Sequence, residues 1–527
     1  MEDEEREDLL IRASSDNEEF TDNEDVFDSA RGNIVQHENK TNTFYEKLQF
    51  VCIGLVLCVS STALIILLPL YMEVVNVPGD AYTAILFTSF WTVVVLLVLS
   101  CVVGKFGSGV KAVLVPPFAF STVLRTGLIY GISCFVVIYS LERKKVICHL
   151  QDPIKGIVLV FSLVYYFFFC RKMMGLQKMF CSTTIIVGLF ISVDYGLCDE
   201  FRCRGYERQR RSEDAGDWSW QSHSVWTLAY IVALALWSLS FTLLEGQLVT
   251  SAGFTYIGMG GSRLATVSRL VSTRDSHSHS SVRHSRPLLQ ITEDSQDLPS
   301  HQEPSNGIPS EHRRHITYMK HQYCDPSNRP RTLSVALWLH LWTFVLVVAL
   351  CWTDMTSVLG KGSSAAEFFN LTRNGLYCHF GGHNKQAHNL SDDVTLVRNH
   401  EYCYQVTLYA WPFLTAYILF VLSSVQFLII SESAVFTVAM STTALPLAGI
   451  WWSLFRMVGA TAASSSGLLQ WCPVVTGELI CSLLGLPIVL IGVILLFKAH
   501  FKERSYGKVA IACLRQQQHQ QAADSLG

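Results

Sequence analysis

Long apolar runs broken by short polar turns dominate the chain between residues 48 and 497. Window hydropathy marks about ten of them, near 48–71, 81–103, 121–141, 153–170, 180–196, 224–249, 332–353, 405–430, 434–456 and 475–497. Most approach 20 residues, the length that crosses a hydrocarbon core of roughly 30 Å. Lipid offers no partner to backbone N–H and C=O groups, so each run is expected to be a helix that satisfies its own backbone. The pattern predicts an all-α polytopic membrane protein.

Composition agrees with that pattern. Half the residues are hydrophobic and 16% are charged, against about a quarter charged in soluble domains. The N-terminal stretch, MEDEEREDLLIRASSDNEEFTDNEDVFDSARG, is acidic and lacks the basic start of a signal peptide. The first span is therefore expected to serve as its own insertion signal. Residues 250–331 are rich in Ser, His, Arg and Pro, a composition that cannot bury a core, and are read as a disordered cytosolic linker between halves of about five spans each. The division is thus a tail over 1–45, a first membrane half over 46–249, the linker over 250–331, a second half over 332–498 with an outside loop 354–404, and a C-terminal tail over 499–527.

Two glycosylation sequons, Asn370-Leu371-Thr372 and Asn389-Leu390-Ser391, fall in the 354–404 loop and predict that it is luminal or extracellular, with both termini cytosolic. Lys105, Lys111, Arg171, Lys172, Lys178, Lys498, Lys502 and Arg504 then lie inside, as the positive-inside rule expects. Two outside loops oppose the rule: Glu142-Arg143-Lys144-Lys145 and the basic stretch within 198–217. Of the sixteen cysteines, half lie inside apolar runs, where Cys behaves as a small hydrophobe. Among the outside ones, Cys378 with Cys403 and Cys198 with Cys203 are candidate disulfides.

The third span ends in Tyr139-Ser140-Leu141-Glu142-Arg143. The fifth and tenth open near Gly175-Leu176-Gln177 and Gly477-Glu478. On these residues, over roughly 45–500, the chain resembles the drug/metabolite transporter superfamily. It is similar to the branch around the chloroquine-resistance transporter, with the nucleotide-sugar transporters as the neighbouring branch. The resemblance implies ten helices in two inverted five-helix repeats. It also implies a central cavity lined by spans one to four and six to nine, and a small-molecule substrate carried by alternating access across an organelle or plasma membrane.

Ionisable residues inside spans are functional candidates because their burial in lipid is unfavourable. Glu245, near the inner end of the sixth span, reads as a substrate or gate residue or as an interfacial acid. His340, in the seventh, reads as a substrate or proton group or as a helix-to-helix hydrogen bond. Arg125 pairs an anionic substrate or snorkels to lipid. Glu432 and Glu478 read as caps of the ninth and tenth spans. Trp451 and Trp452 belong to an interfacial aromatic belt or to a cavity wall. Glu142, Arg143 and Asp152 ring an outer mouth or anchor headgroups.

Glu5, Leu9 and Leu10 form an acidic dileucine signal, which implies clathrin-adaptor binding and an endosomal or lysosomal address. No catalytic motif, phosphate-binding loop or zinc spacing occurs, so no enzyme, cofactor, metal or nucleic-acid partner is expected. The competing reading is a non-transporting receptor or scaffold.

Overall fold

The computed structural model describes residues 40–106, 116–142, 146, 151, 154–170, 174–193, 200–203, 206–209, 219–251, 331–356, 364–381, 393–458 and 468–524. The helices are α1 (Lys40–Val75), α2 (Ala81–Phe106), α3 (Phe120–Leu141), α4 (Val158–Tyr165), α5 (Leu176–Ser192), α6 (Trp220–Ser251), α7 (Thr332–Ala349), α8 (Ala365–His379), α9 (Asp393–Ser431), α10 (Ala434–Thr442), α11 (Ala444–Leu454) and α12 (Gly477–Asp524). Among the described residues, eight segments are long and apolar enough to cross a membrane: 45–75, 81–105, 120–141, 220–248, 332–355, 403–431, 434–454 and 477–504. Two shorter apolar helices, Ile154–Phe169 and Leu176–Ser192, pack among them.

The helices alternate in direction. Phe50 at the start of α1 packs on Phe427 near the end of α9, on Phe436 at the start of α10 and on Phe497 of α12, with ring centroids 4.7, 5.4 and 5.2 Å apart. These residues define one end of the bundle, here the terminal face. At the other end, the loop face, Tyr139 of α3 donates a hydrogen bond to Asp354 Oδ1 just beyond α7, at 2.9 Å.

Packed pairs include α1 with α9, α3 with α6, α5 with α12, α2 with α7, α3 with α7, α11 with α12, α4 with α10, α4 with α6, and α1 with α10 and α11. Small residues let backbones approach at several of these contacts. A Cβ on Gly485 of α12 would fall 2.5 Å from the Gly188 carbonyl oxygen of α5, and one on Gly127 of α3 would fall 2.7 Å from Trp342 of α7.

Several expectations change. Six of the apolar helices precede the linker and four follow it, so the linker does not separate two sets of five. An even division falls between α5 and α6. The span expected at 180–196 begins earlier, at Leu176. The 434–456 span is two helices meeting at Thr443. Pro446 explains the joint, because it has no N–H to bond the carbonyl four residues back. The C-terminal tail continues α12 as helix to Asp524, and the 354–404 loop contains α8. The described chain is also not purely helical: β1 (Glu200–Cys203) pairs antiparallel with β2 (Tyr206–Gln209), and β3 (Phe455–Met457) with β4 (Leu469–Trp471).

Candidate functional site

A cavity of about 290 Å³ lies inside the bundle. It is lined by α1 through Ser61 and Pro69, α2 through Thr88, α3 through Tyr130, α4 through Val158, α6 through Trp237, α7 through His340, α9 through Tyr417, α10 through Ser441 and α11 through Trp452. Neither α5 nor α12 contributes a lining residue. The wall reaches toward the loop face at Leu141, Gln151 and Lys155. Within α7, His340 is the lining residue nearest the terminal face, about 12 Å into the helix at 1.5 Å per residue.

His340 is 1% exposed. Its Nδ1 lies 3.0 Å from the Ala336 carbonyl oxygen, which only accepts, so Nδ1 carries the hydrogen. Nε2 is then an acceptor, and the Tyr417 hydroxyl donates to it at 3.2 Å. With that hydrogen committed, the 3.2 Å contact between Tyr417 and Tyr130 requires Tyr130 to donate. The result is a one-way chain from α3 through α9 to α7. Neither tyrosine was expected, because a Tyr in an apolar span carries no motif. His340 and Tyr130 also border a smaller void toward the terminal face, lined by Leu244, Leu339 and Val425.

The bundle is latched on the terminal face. Glu245 of α6 is buried and accepts a hydrogen bond from the Ala434 backbone N–H at 2.7 Å. A carboxylate here meets the unsatisfied N–H groups and positive dipole end of α10. This changes the expected cap: Glu432 adopts φ 52°, and the capping oxygens at α10 come from Ser433 and from Glu245 of another helix. Gln247 of α6 bonds the Thr122 carbonyl oxygen and the Thr126 hydroxyl of α3, at 3.2 and 2.5 Å. Thr332 donates to Gln426, joining α7 to α9.

The loop face carries an unforeseen pair of acids. Asp80 and Asp354 are each 1% exposed. Asp80 caps α2, accepting from the Thr83 N–H and hydroxyl at 3.0 Å each. Its carboxyl lies close to that of Asp354. As two carboxylates they leave Oδ2 of each without a donor. A hydrogen held between the two carboxyls would satisfy both oxygens. Glu142 is buried beside Asp354 and does not line an exposed mouth, as the sequence suggested. A turn sequence (NVPGD) gives no hint that Asp80 is buried.

Between these parts, Cys378 at the end of α8 is disulfide-bonded to Cys403 of α9, with Cα atoms 4.4 Å apart. The adjacent His379 is buried, stacks on Phe87 at 4.1 Å, and pairs its Nε2 with the Tyr71 hydroxyl at 2.6 Å. Burial lowers its pKa from 6.5 to about 4, partly offset by the hydrogen bond from Nδ1 to the Gly375 carbonyl oxygen.

Of the other sequence candidates, Arg125 is exposed on α3 and outside the cavity lining, and Asn370 is exposed on α8. Trp452 is buried in the cavity wall, while Trp451 stacks on Phe455 at 4.2 Å. Glu478 lies in the first turn of α12. Arg143, Asp152, Asn389, Cys198, Glu5, Leu9 and Leu10 lie outside the described residues, and for Cys203 only the backbone, in β1, is described. No protein-family model matches the chain, and no curated protein matches it.

Proposed function

We propose that the chain is a secondary transporter that moves a small metabolite by alternating access, built as ten crossings in two inverted five-helix repeats. The observation that carries this reading is the cavity and the symmetry of what lines it. Exchange α1 with α6, α2 with α7, α3 with α9, α4 with α10 and α11, and α5 with α12. Most of the packed pairs then map onto one another: α1–α9 onto α6–α3, and α4–α6 onto the contacts of α10 and α11 with α1. The pairs α2–α7, α4–α10 and α5–α12 map onto themselves. The set of cavity-lining helices is unchanged by the same exchange, and the pair left out, α5 and α12, is its own image. An odd number of crossings per repeat inverts one repeat against the other. That arrangement places a binding site at the repeat interface and allows one repeat to rock against the other.

Within this reading, the Glu245, Gln247 and Thr332 bonds are latches that hold the terminal face closed while the cavity reaches the loop face. Glu245 is then a gate residue, and His340 is the substrate-contacting one. The loop face is luminal and the dileucine signal directs the protein to endosomes or lysosomes. Purified protein in liposomes, offered a broad metabolite panel under a pH gradient of either sign, tests the class. Uptake of at least one solute that Glu245→Ala changes in rate is expected. No uptake of any solute refutes transport.

A further inference from the structure

Among the described residues the cavity wall is almost without formal charge. Among the described residues, Lys155 is the one charged side chain that lines it, and no Asp, Glu or Arg does. The rest is mainly aliphatic and aromatic surface, including Trp237, Phe413, Phe420 and Trp452, with neutral polar groups from serine, threonine and tyrosine hydroxyls, the Gln151 amide, the Cys134 thiol and His340. A phosphorylated solute entering such a space loses the hydration of two or more charges, and a single lysine near the loop face does not replace it. Among the described lining residues a cation meets no acid. Aromatic faces alone recover only about 0.5–2 kcal/mol for a cation, short of its desolvation.

The hydrogen-bond chain sharpens the choice. The Nδ1 hydrogen of His340 goes to Ala336, the Tyr417 hydrogen to His340, and the Tyr130 hydrogen to Tyr417. Every donor of these three residues is used; the Cys134 thiol also pairs with both tyrosines, and the remaining capacity at Tyr130 and Tyr417 is oxygen lone pairs, which accept. At this tyrosine pair a bound solute therefore brings the donor.

Building on the transporter reading, we propose that the cavity takes an uncharged, largely apolar solute bearing an O–H or N–H donor, which it gives to the tyrosine pair Tyr130–Tyr417. The volume of about 290 Å³ lies at the lower end of small-molecule sites, roughly 300–1,000 Å³. It suits a compact ring system better than a nucleotide conjugate.

The test is saturable binding of four matched probes to the full-length protein in lipid nanodiscs, by equilibrium dialysis. The probes are 2-(1-naphthyl)ethanol, its methyl ether, 1-naphthylacetate and 2-(1-naphthyl)ethylamine, which share a ring and differ in charge and donor. The alcohol is expected to bind about tenfold tighter than the other three. The double substitution Tyr130→Phe/Tyr417→Phe, checked for an unchanged thermal midpoint, is expected to bring alcohol and ether within about threefold. If the variant fails to fold, the four-probe ranking on the unmodified protein still decides. Equal or tighter binding of the acetate, amine or ether overturns the proposal, as does absence of saturable binding for all four up to about 1 mM. Binding of the alcohol without uptake of any solute into liposomes strikes the transporter reading and leaves the site chemistry standing. Uptake of charged metabolites without alcohol binding does the reverse.

Discussion

His379 offers a quantitative test of how the loop face responds to acid. It lies outside the membrane-crossing segments, in α8, and packs against Tyr71, Phe87 and Trp411. Its folded-state pKa is about 4, against 6.5 for the free side chain. Because the folded value is depressed, the unfolded chain takes up the proton first as pH falls. The contribution of His379 to stability is whole above 6.5 and is lost progressively as pH drops toward 4. Between pH 7.5 and pH 5 the linkage integral gives a loss of about 2 kcal/mol from this one residue. That corresponds to about a thirtyfold change in the folded-to-unfolded ratio.

The perturbation is His379→Gln, which keeps an amide acceptor near Tyr71 but does not titrate. Stability of both proteins is measured in detergent by thermal unfolding at pH 7.5, 6.5, 5.8 and 5.0. The variant is expected to be less stable at pH 7.5, having lost one of two hydrogen bonds. The gap should close steadily below pH 6.5 by about 2 kcal/mol. Other titrating groups act equally on both proteins and cancel in the difference. A gap that stays constant from pH 7.5 to 5 refutes the reasoning, because it means that His379 is solvated or already charged in the folded protein.

Three further outcomes follow from packing and pairing. Gly485→Val forces methyl groups into the Gly188 and Ser192 backbone of α5; it should destabilise by about 1–3 kcal/mol or more and lower the thermal midpoint, whereas Gly246→Val, with nothing within 4 Å of its Cβ, should cost less. Asp354→Leu leaves Asp80 buried opposite an apolar group and should cost about 1–3 kcal/mol, while Asp354→Asn supplies a fixed N–H donor to Asp80 and should retain most of the midpoint; equal losses in the two variants refute a hydrogen held between the two carboxyls. Cys378→Ser opens a loop of sequence separation 25 and should cost about 3.5 kcal/mol on the chain-entropy account, read as a lower midpoint that reductant no longer changes.

The apolar runs alone determined that this is a helical membrane protein and roughly where its crossings lie. Lipid leaves one local solution for a backbone without water, so a run of apolar residues near 20 long declares its own structure. His340 and Glu245 stood out for the same reason: a titratable group in an apolar run is conspicuous in one dimension. The loop cysteines Cys378 and Cys403 were visible because few residues compete for a bond outside the membrane.

What the tertiary structure decided is everything that depends on which helix faces which. Trp451 and Trp452 are identical side chains one residue apart. A rotation of about 100° along the helix puts one in the cavity wall and leaves the other stacked on Phe455. Glu245 receives the Ala434 N–H only because the N-terminus of α10 meets it from far along the chain. Asp80 and Asp354, more than 270 residues apart, become neighbouring buried acids only where α2 and α7 meet. The longest linker is the most visible break along the chain, yet six of the described apolar helices precede it and four follow. Pairing across the bundle has no period along the chain, so no local pattern encodes it.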